Sequence, residues 1–149
     1  MKIQFILGSK SDHDFATKIT ELLNEFNVEY DIKVASAHKV PEKVFEIVSS
    51  LNKEDDIVYI TIAGRSNGLS GVTAANSVHP VIACPPFKNK DDFSVNINST
   101  LQMPSDTPVI TVIDPKNAAL AALRILALKN ENLKIALLNR IEKIKQSFN

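Results

Sequence analysis

The sequence predicts an α/β protein: a three-layer, flavodoxin-like parallel sheet of five strands in the order 2-1-3-4-5. Three observations carry this expectation. Short apolar runs alternate five times with helical patterns along the 149 residues, which calls for parallel strands joined by right-handed crossovers. Three of the runs open into loops of glycine and small polar residues, the way open α/β sheets build ligand sites at the carboxyl ends of their strands. The composition, 44% hydrophobic and 23% charged, suits one globular domain with a substantial core. The expected organisation is a single domain over 1–149, with the α/β core in 1–128 and a terminal helix in 129–149.

Lys2 to Leu7 is the first apolar strand. Gly8-Ser9-Lys10-Ser11-Asp12 ends it, and Ser11 or Asp12 can cap a helix running to about Asn27. Phe15, Ile19, Leu22, Leu23 and Phe26, spaced by three and four, form that helix's buried face. Tyr30 to Ala35 alternates apolar and polar residues as a second strand. Pro41 suits the first turn of the next helix, whose stripe is Val44, Phe45, Ile47, Val48 and Leu51. Ile57 to Ala63, β-branched and apolar, reads as a buried third strand. A short Ala-rich helix through Val72 to Asn76 follows its loop.

Pro80 to Cys84 is a fourth strand stopped by Pro85-Pro86. Residues 87–100 are weakly patterned and read as a surface loop with a helical turn. Pro108 to Ile113 is the fifth strand. Asn117 to Leu128 is nearly all Ala, Leu and Ile, which predicts a helix buried all round. Leu133, Leu137, Ile141, Ile144 and Phe148 mark a last helix with a narrow apolar seam. So small a core leaves that seam little to cover, so the helix is expected to pack on a neighbouring subunit.

In the predicted order the switch point lies between strands 1 and 3, so the loops after strands 1, 2 and 3 meet in one crevice. The first loop offers Gly8, Ser9, Ser11 and Asp12: two hydroxyls and backbone N–H groups at a helix N-terminus, suited to a phosphate, with a carboxylate for ribose hydroxyls. It lacks the P-loop spacing, and its bland reading is a capped turn. The second loop offers Ser36, His38 and Lys39; an imidazole can move a proton near neutral pH, although a lone loop histidine is more often an exposed surface residue. The third loop offers Gly64, Arg65, Ser66, Asn67, Gly68 and Leu69. Arg65 is a forked donor for phosphate or carboxylate. All four glycines lie in the first and third loops, where they permit tight turns and close backbone approach to a ligand. His13 and His79 read as structural or surface residues, and Cys84 as a buried small apolar residue.

The 17 Lys and Arg balance the 17 Asp and Glu, so no basic surplus points to nucleic acid, and oligomer formation is not opposed by self-repulsion. One cysteine allows neither an intrachain disulfide nor a Cys-based metal cluster. No membrane span or signal peptide is evident, and the expected location is the cytoplasm.

Four motifs in order, Gly8-Ser9-Lys10-Ser11-Asp12, Ser36-Ala37-His38-Lys39-Val40-Pro41, Ala63-Gly64-Arg65-Ser66-Asn67-Gly68-Leu69 and Cys84-Pro85-Pro86, resemble the aminoimidazole ribonucleotide carboxylase family of purine biosynthesis. Leu101-Gln102-Met103-Pro104-Ser105 and Pro115-Lys116-Asn117-Ala118-Ala119-Leu120 extend the resemblance over about residues 3 to 128. In class I of that family the third loop reads Gly-Gly-Ala-Ala-His-Leu, and the histidine position is Gly68 here. That glycine, Lys39 where class I has arginine, and Cys84-Pro85-Pro86 resemble class II. Asp106 departs from the family, which has glycine after Met-Pro-Ser.

The resemblance to class II implies carboxylation of 5-aminoimidazole ribonucleotide at C4, with carbon dioxide as co-substrate and without ATP, biotin or metal. The class I mutase acting on the N5-carboxylated nucleotide is the alternative, and a non-catalytic nucleotide-binding module is a second. The implied catalytic residue is His38, the base that takes the C4 proton. Gly8, Ser9 and Ser11 would hold the 5′-phosphate and Asp12 the ribose. Lys39 would bind phosphate or the new carboxylate. Ser36, Arg65, Ser66 and Leu69 would line the crevice, with Gly64 and Gly68 giving close approach to the ring. The resemblance further implies a homo-oligomer, octamer or tetramer, with neither nucleic acid nor membrane as a partner.

Overall fold

In the computed structural model, described over residues 1–148, the sheet is built from β1 (Lys2–Leu7), β2 (Tyr30–Val34), β3 (Ile57–Ile62), β4 (Val81–Ala83) and β5 (Ile110–Thr111). All pairings are parallel and the order is β2-β1-β3-β4-β5, the predicted flavodoxin-like order. Phe5 at the centre of β1 stands opposite Ile32 of β2 and Ile60 of β3. The helices are α1 (His13–Glu25), α2 (Pro41–Leu51), α3 (Gly68–Asn76), α4 (Lys90–Leu101), α5 (Pro115–Leu126) and α6 (Glu131–Gln146).

Two apolar layers cover the sheet, and strand alternation assigns residues to them. Ile3, Phe5 and Leu7 of β1 pack with Ile19, Leu22 and Leu23 of α1, Ala118, Ala122 and Leu123 of α5, and Leu133 and Leu137 of α6. On the other side Ile6 and Tyr59 pack with Val44 and Val48 of α2 and Leu69 and Ala74 of α3. β3 is buried along its whole length, as a central parallel strand should be. Each fully buried aliphatic side chain contributes about 1.5–3 kcal/mol, so these two layers supply most of the driving force. Among the described residues no helix is long and apolar enough to cross a membrane.

The structure differs from expectation in four places. Residues 90–101 form a regular helix, started by the Asn89 side chain, which accepts the Asp92 N–H at 2.9 Å. Its moderate apolar content hid it, because the face it buries is polar, with Asn96 and Thr100 inside. β5 is only two residues long, since its partner β4 has three and Pro85 ends that strand's pairing. α5 is amphipathic rather than buried all round: Ala118, Ala119 and Ala122 lie flat on the sheet, while Arg124 is exposed. The α6 seam is divided: Leu133 and Leu137 pack on the chain's own core, and Ile144 and Phe148 are exposed.

Candidate active site

Because β1 lies between β2 and β3, the chain leaves β1 toward β2 and leaves β3 toward β4, in opposite directions, and a crevice opens beyond the carboxyl ends of β1 and β3. A cavity of about 750 Å³ occupies it. Gly8, Ser9, Ser11, Asp12, Ser36, His38, Lys39, Gly64, Arg65, Ser66 and Leu69 line the cavity together, although they come from three separate loops. Asn67 and Gly68 of the third loop lie outside the lining, Gly68 directly behind His38.

The first loop is fixed by a capping box placed one turn earlier than expected. Ser9, rather than Ser11 or Asp12, caps the 3-10 turn Lys10–Asp12 that leads into α1. Its Oγ accepts the Ser11 N–H at 3.3 Å, and Asp12 Oδ2 accepts the Ser9 N–H at 2.9 Å. One carboxylate oxygen of Asp12 is therefore committed to holding the loop. Burial holds the Asp12 carboxyl above its usual range, opposed in part by that Ser9 hydrogen bond and by the nearby His13.

The second loop is a tight turn. Ser36 O accepts the N–H groups of Lys39 and Val40 at 3.3 and 2.9 Å, and Pro41 then starts α2. His38 and Lys39 stand at its tip, exposed to the cavity.

The third loop departs from the sequence expectation in its cause. No glycine is left-handed; the residue that takes the turn is Arg65, at φ 58°. What Gly64 and Gly68 provide is room. A Cβ on Gly64 would lie 2.9 Å from Asn96 Nδ2, and one on Gly68 would lie 3.1 Å from His38 Nε2. α3 begins inside this loop, capped by Asn67, whose Oδ1 accepts the Ser70 N–H at 3.3 Å. Behind the loop runs a buried polar chain: Thr61 Oγ1 and Ser70 Oγ are 2.9 Å apart, Ser70 Oγ donates to Asn67 Oδ1 at 3.0 Å, and Asn67 Nδ2 donates to Thr100 Oγ1 at 2.9 Å. Asp106, at the family's glycine position, is also left-handed at φ 61°, a conformation aspartate enters more readily than most residues.

Sequence reasoning missed the far wall and the rim. Phe15 and Lys18 of α1, Phe87 and Lys88 after β4, and Asn96 of α4 also line the cavity. The Phe87 ring meets Phe93 edge to face at 5.1 Å. A signal for α4 was present: Asn96, Ser99 and Thr100 are spaced as one helix face. Cys84 is fully buried at the end of β4, and burial, with the Asp114 charge second, pushes its thiol up to about 12. It is a packing residue. His79 is structural, with Nε2 2.9 Å from Leu51 O, and His13 is exposed at the start of α1.

Known proteins resemble this chain in sequence and in fold. A sequence profile described as AIR carboxylase matches residues 2–147. The chain is 46% identical over 134 residues to a phosphoribosylaminoimidazole carboxylase of Archaeoglobus fulgidus, covering 90% of this chain and 73% of that one. It is also 46% identical over 146 residues to an N5-carboxyaminoimidazole ribonucleotide mutase of Methanocaldococcus jannaschii, covering 97% and 90%. The crystal structure of Treponema denticola PurE superposes with a TM-score of 0.93 at 37% identity, over 99% of this chain and 93% of that one. The profile spans sheet, crevice loops and terminal helix alike, and the chain belongs to the AIR carboxylase family of purine biosynthesis enzymes.

Proposed function

We propose that this protein carboxylates 5-aminoimidazole ribonucleotide directly at C4 with carbon dioxide, in the manner of class II, without ATP, biotin or metal. The observation that carries the choice is the contact between Gly68 and His38. The class I pattern has a histidine at position 68; here even a Cβ would crowd the His38 ring, at 3.1 Å from Nε2. One imidazole, not two, faces the cavity from these loops.

The chemistry asked of the site is modest. The aminoimidazole ring is an enamine with a nucleophilic C4, and carbon dioxide is the electrophile. C4 attacks the carbon, which becomes a carboxylate, and C4 then carries both that group and its original proton. His38 takes the proton and the ring regains aromaticity; in reverse it returns the proton and carbon dioxide leaves. Holding the reactants together in a walled cavity supplies much of the rate, and the base supplies roughly a further hundred- to ten-thousandfold. Gly8, Ser9 and Ser11 at the start of α1 hold the 5′-phosphate, with the free Asp12 oxygen on the ribose. Lys39 and Arg65 face the phosphate or the new carboxylate, and Ser36, Ser66 and Leu69 complete the walls.

The same reading makes the protein a cytoplasmic homo-oligomer, octamer or tetramer. Ile135, Leu138 and Ile144 of α6 remain 48%, 52% and 49% exposed, apolar surface that a neighbouring subunit would cover. The test of function supplies aminoimidazole ribonucleotide with carbon dioxide, and separately the N5-carboxylated nucleotide, both without ATP. Product from the first supports the proposal; turnover of only the second makes the protein a mutase.

A further inference from the structure

Helix α4 places Asn96 in the cavity wall with its side chain 5% exposed. The two ends of its amide engage two different loops. Oδ1 accepts the Arg65 N–H and Nδ2 donates to Pro86 O, each at 2.5 Å. Arg65 is the left-handed residue of the third loop, a conformation that a residue with a side chain keeps only when its surroundings hold it. The next turn of α4 holds the next part of the same loop: Ser99 Oγ accepts the Asn67 N–H at 2.7 Å, and Thr100 Oγ1 accepts from Asn67 Nδ2 at 2.9 Å. Gly64 carries no side chain where Asn96 needs the space. The position asks for one acceptor and one donor on a short planar group, which an amide supplies and neither a carboxylate nor an aliphatic side chain does.

We infer that Asn96 is a positioning residue. By tying the loop after β3 to the loop after β4, it holds the left-handed turn at Arg65 and so aims the guanidinium into the cavity. It acts through Arg65 and needs no contact with substrate. Its kinetic consequence rests on the carboxylase reading of the cavity; its structural consequence does not.

Amide hydrogen exchange followed by NMR on the substrate-free protein tests the structural half. In Asn96→Ala the Arg65 N–H exchanges at least about tenfold faster than in wild type, while amides at the centre of β1 and β3 are unchanged. Asn96→Asp keeps the acceptor for the Arg65 N–H but loses the donor to Pro86 O, so Arg65 exchanges faster than in wild type and more slowly than in Asn96→Ala; this variant also decides the matter if the alanine variant does not fold. Unchanged Arg65 exchange in Asn96→Ala, or wild-type Arg65 exchange in a folded Asn96→Asp, overturns the inference. A double-mutant cycle tests the kinetic half. Asn96→Ala lowers kcat/KM by roughly ten- to a hundredfold, yet adds no more than about twofold in an Arg65→Ala background, because the aim of an absent guanidinium no longer matters. Losses that multiply overturn the inference. If the wild type turns over no aminoimidazole nucleotide, the carboxylase reading falls while the exchange result still decides the role of Asn96.

Discussion

The backbone of Gly68 lies against the edge of the His38 ring: a Cβ placed on it would stand 3.1 Å from Nε2 and 3.3 Å from Cε1. Gly68 is the first residue of α3 and its φ is negative, so an alanine fits the backbone there. Gly68→Ala therefore leaves stability unchanged or raises it by up to about 1 kcal/mol, while displacing the ring by a few tenths of an ångström. Activity falls about tenfold or more, because small misplacements of a reacting group are costly. Paired measurement of Tm and kcat checks this. Full activity in the alanine variant would show that the ring is not held against Gly68 during turnover.

His38→Asn removes the base and keeps a polar side chain at the tip of an exposed turn. Turnover falls by at least about a hundred- to ten-thousandfold, and affinity for aminoimidazole ribonucleotide stays within about threefold, because the proposed phosphate cradle lies on another loop. Calorimetric titration beside a turnover assay separates the two effects. Near-normal turnover would remove His38 from the mechanism.

Cys84 and Tyr59 give stability an alkaline limb. In the fold the Cys84 thiol and the Tyr59 hydroxyl are each raised to about 12, both chiefly by burial. In the unfolded chain the thiol ionises from roughly 8.5 and the phenol from about 10. Above those values the unfolded state binds fewer protons than the native one, so stability falls as pH rises. The limiting slope for each group is on the order of 1.4 kcal/mol per pH unit. Between pH 8.5 and 10 the thiol dominates, and Cys84→Ala flattens the fall, as urea midpoints across that range would show. An unaltered slope would mean that the thiol is not the group responsible. The native thiol should likewise resist iodoacetamide at neutral pH and react once the chain is unfolded.

The sheet order was legible because five apolar runs alternate with helical stripes, and Ile57 to Ile62 in particular has the unbroken apolar character of a central parallel strand. The three crevice loops were legible because their chemistry is local: hydroxyls after β1, His38 and Lys39 after β2, Arg65 among glycines after β3. What stayed hidden depends on distant partners. Asn96 is more than thirty residues of sequence from Arg65, whose N–H it accepts, and α4 buries a polar face that no hydrophobic period reveals. The glycines take none of the left-handed turns they suggested; Gly64 and Gly68 instead leave room for their neighbours Asn96 and His38.

The central claim is direct carboxylation by carbon dioxide, and the way the reaction starts tests it most directly. Aminoimidazole ribonucleotide and enzyme, without ATP, would be mixed rapidly with dissolved carbon dioxide or with bicarbonate, and the C4-carboxylated product followed before the two equilibrate. The account predicts immediate product with carbon dioxide, and with bicarbonate a lag that added carbonic anhydrase removes. No product from that nucleotide under either condition, while the N5-carboxylated nucleotide is converted, would contradict the account and make this chain a mutase despite Gly68.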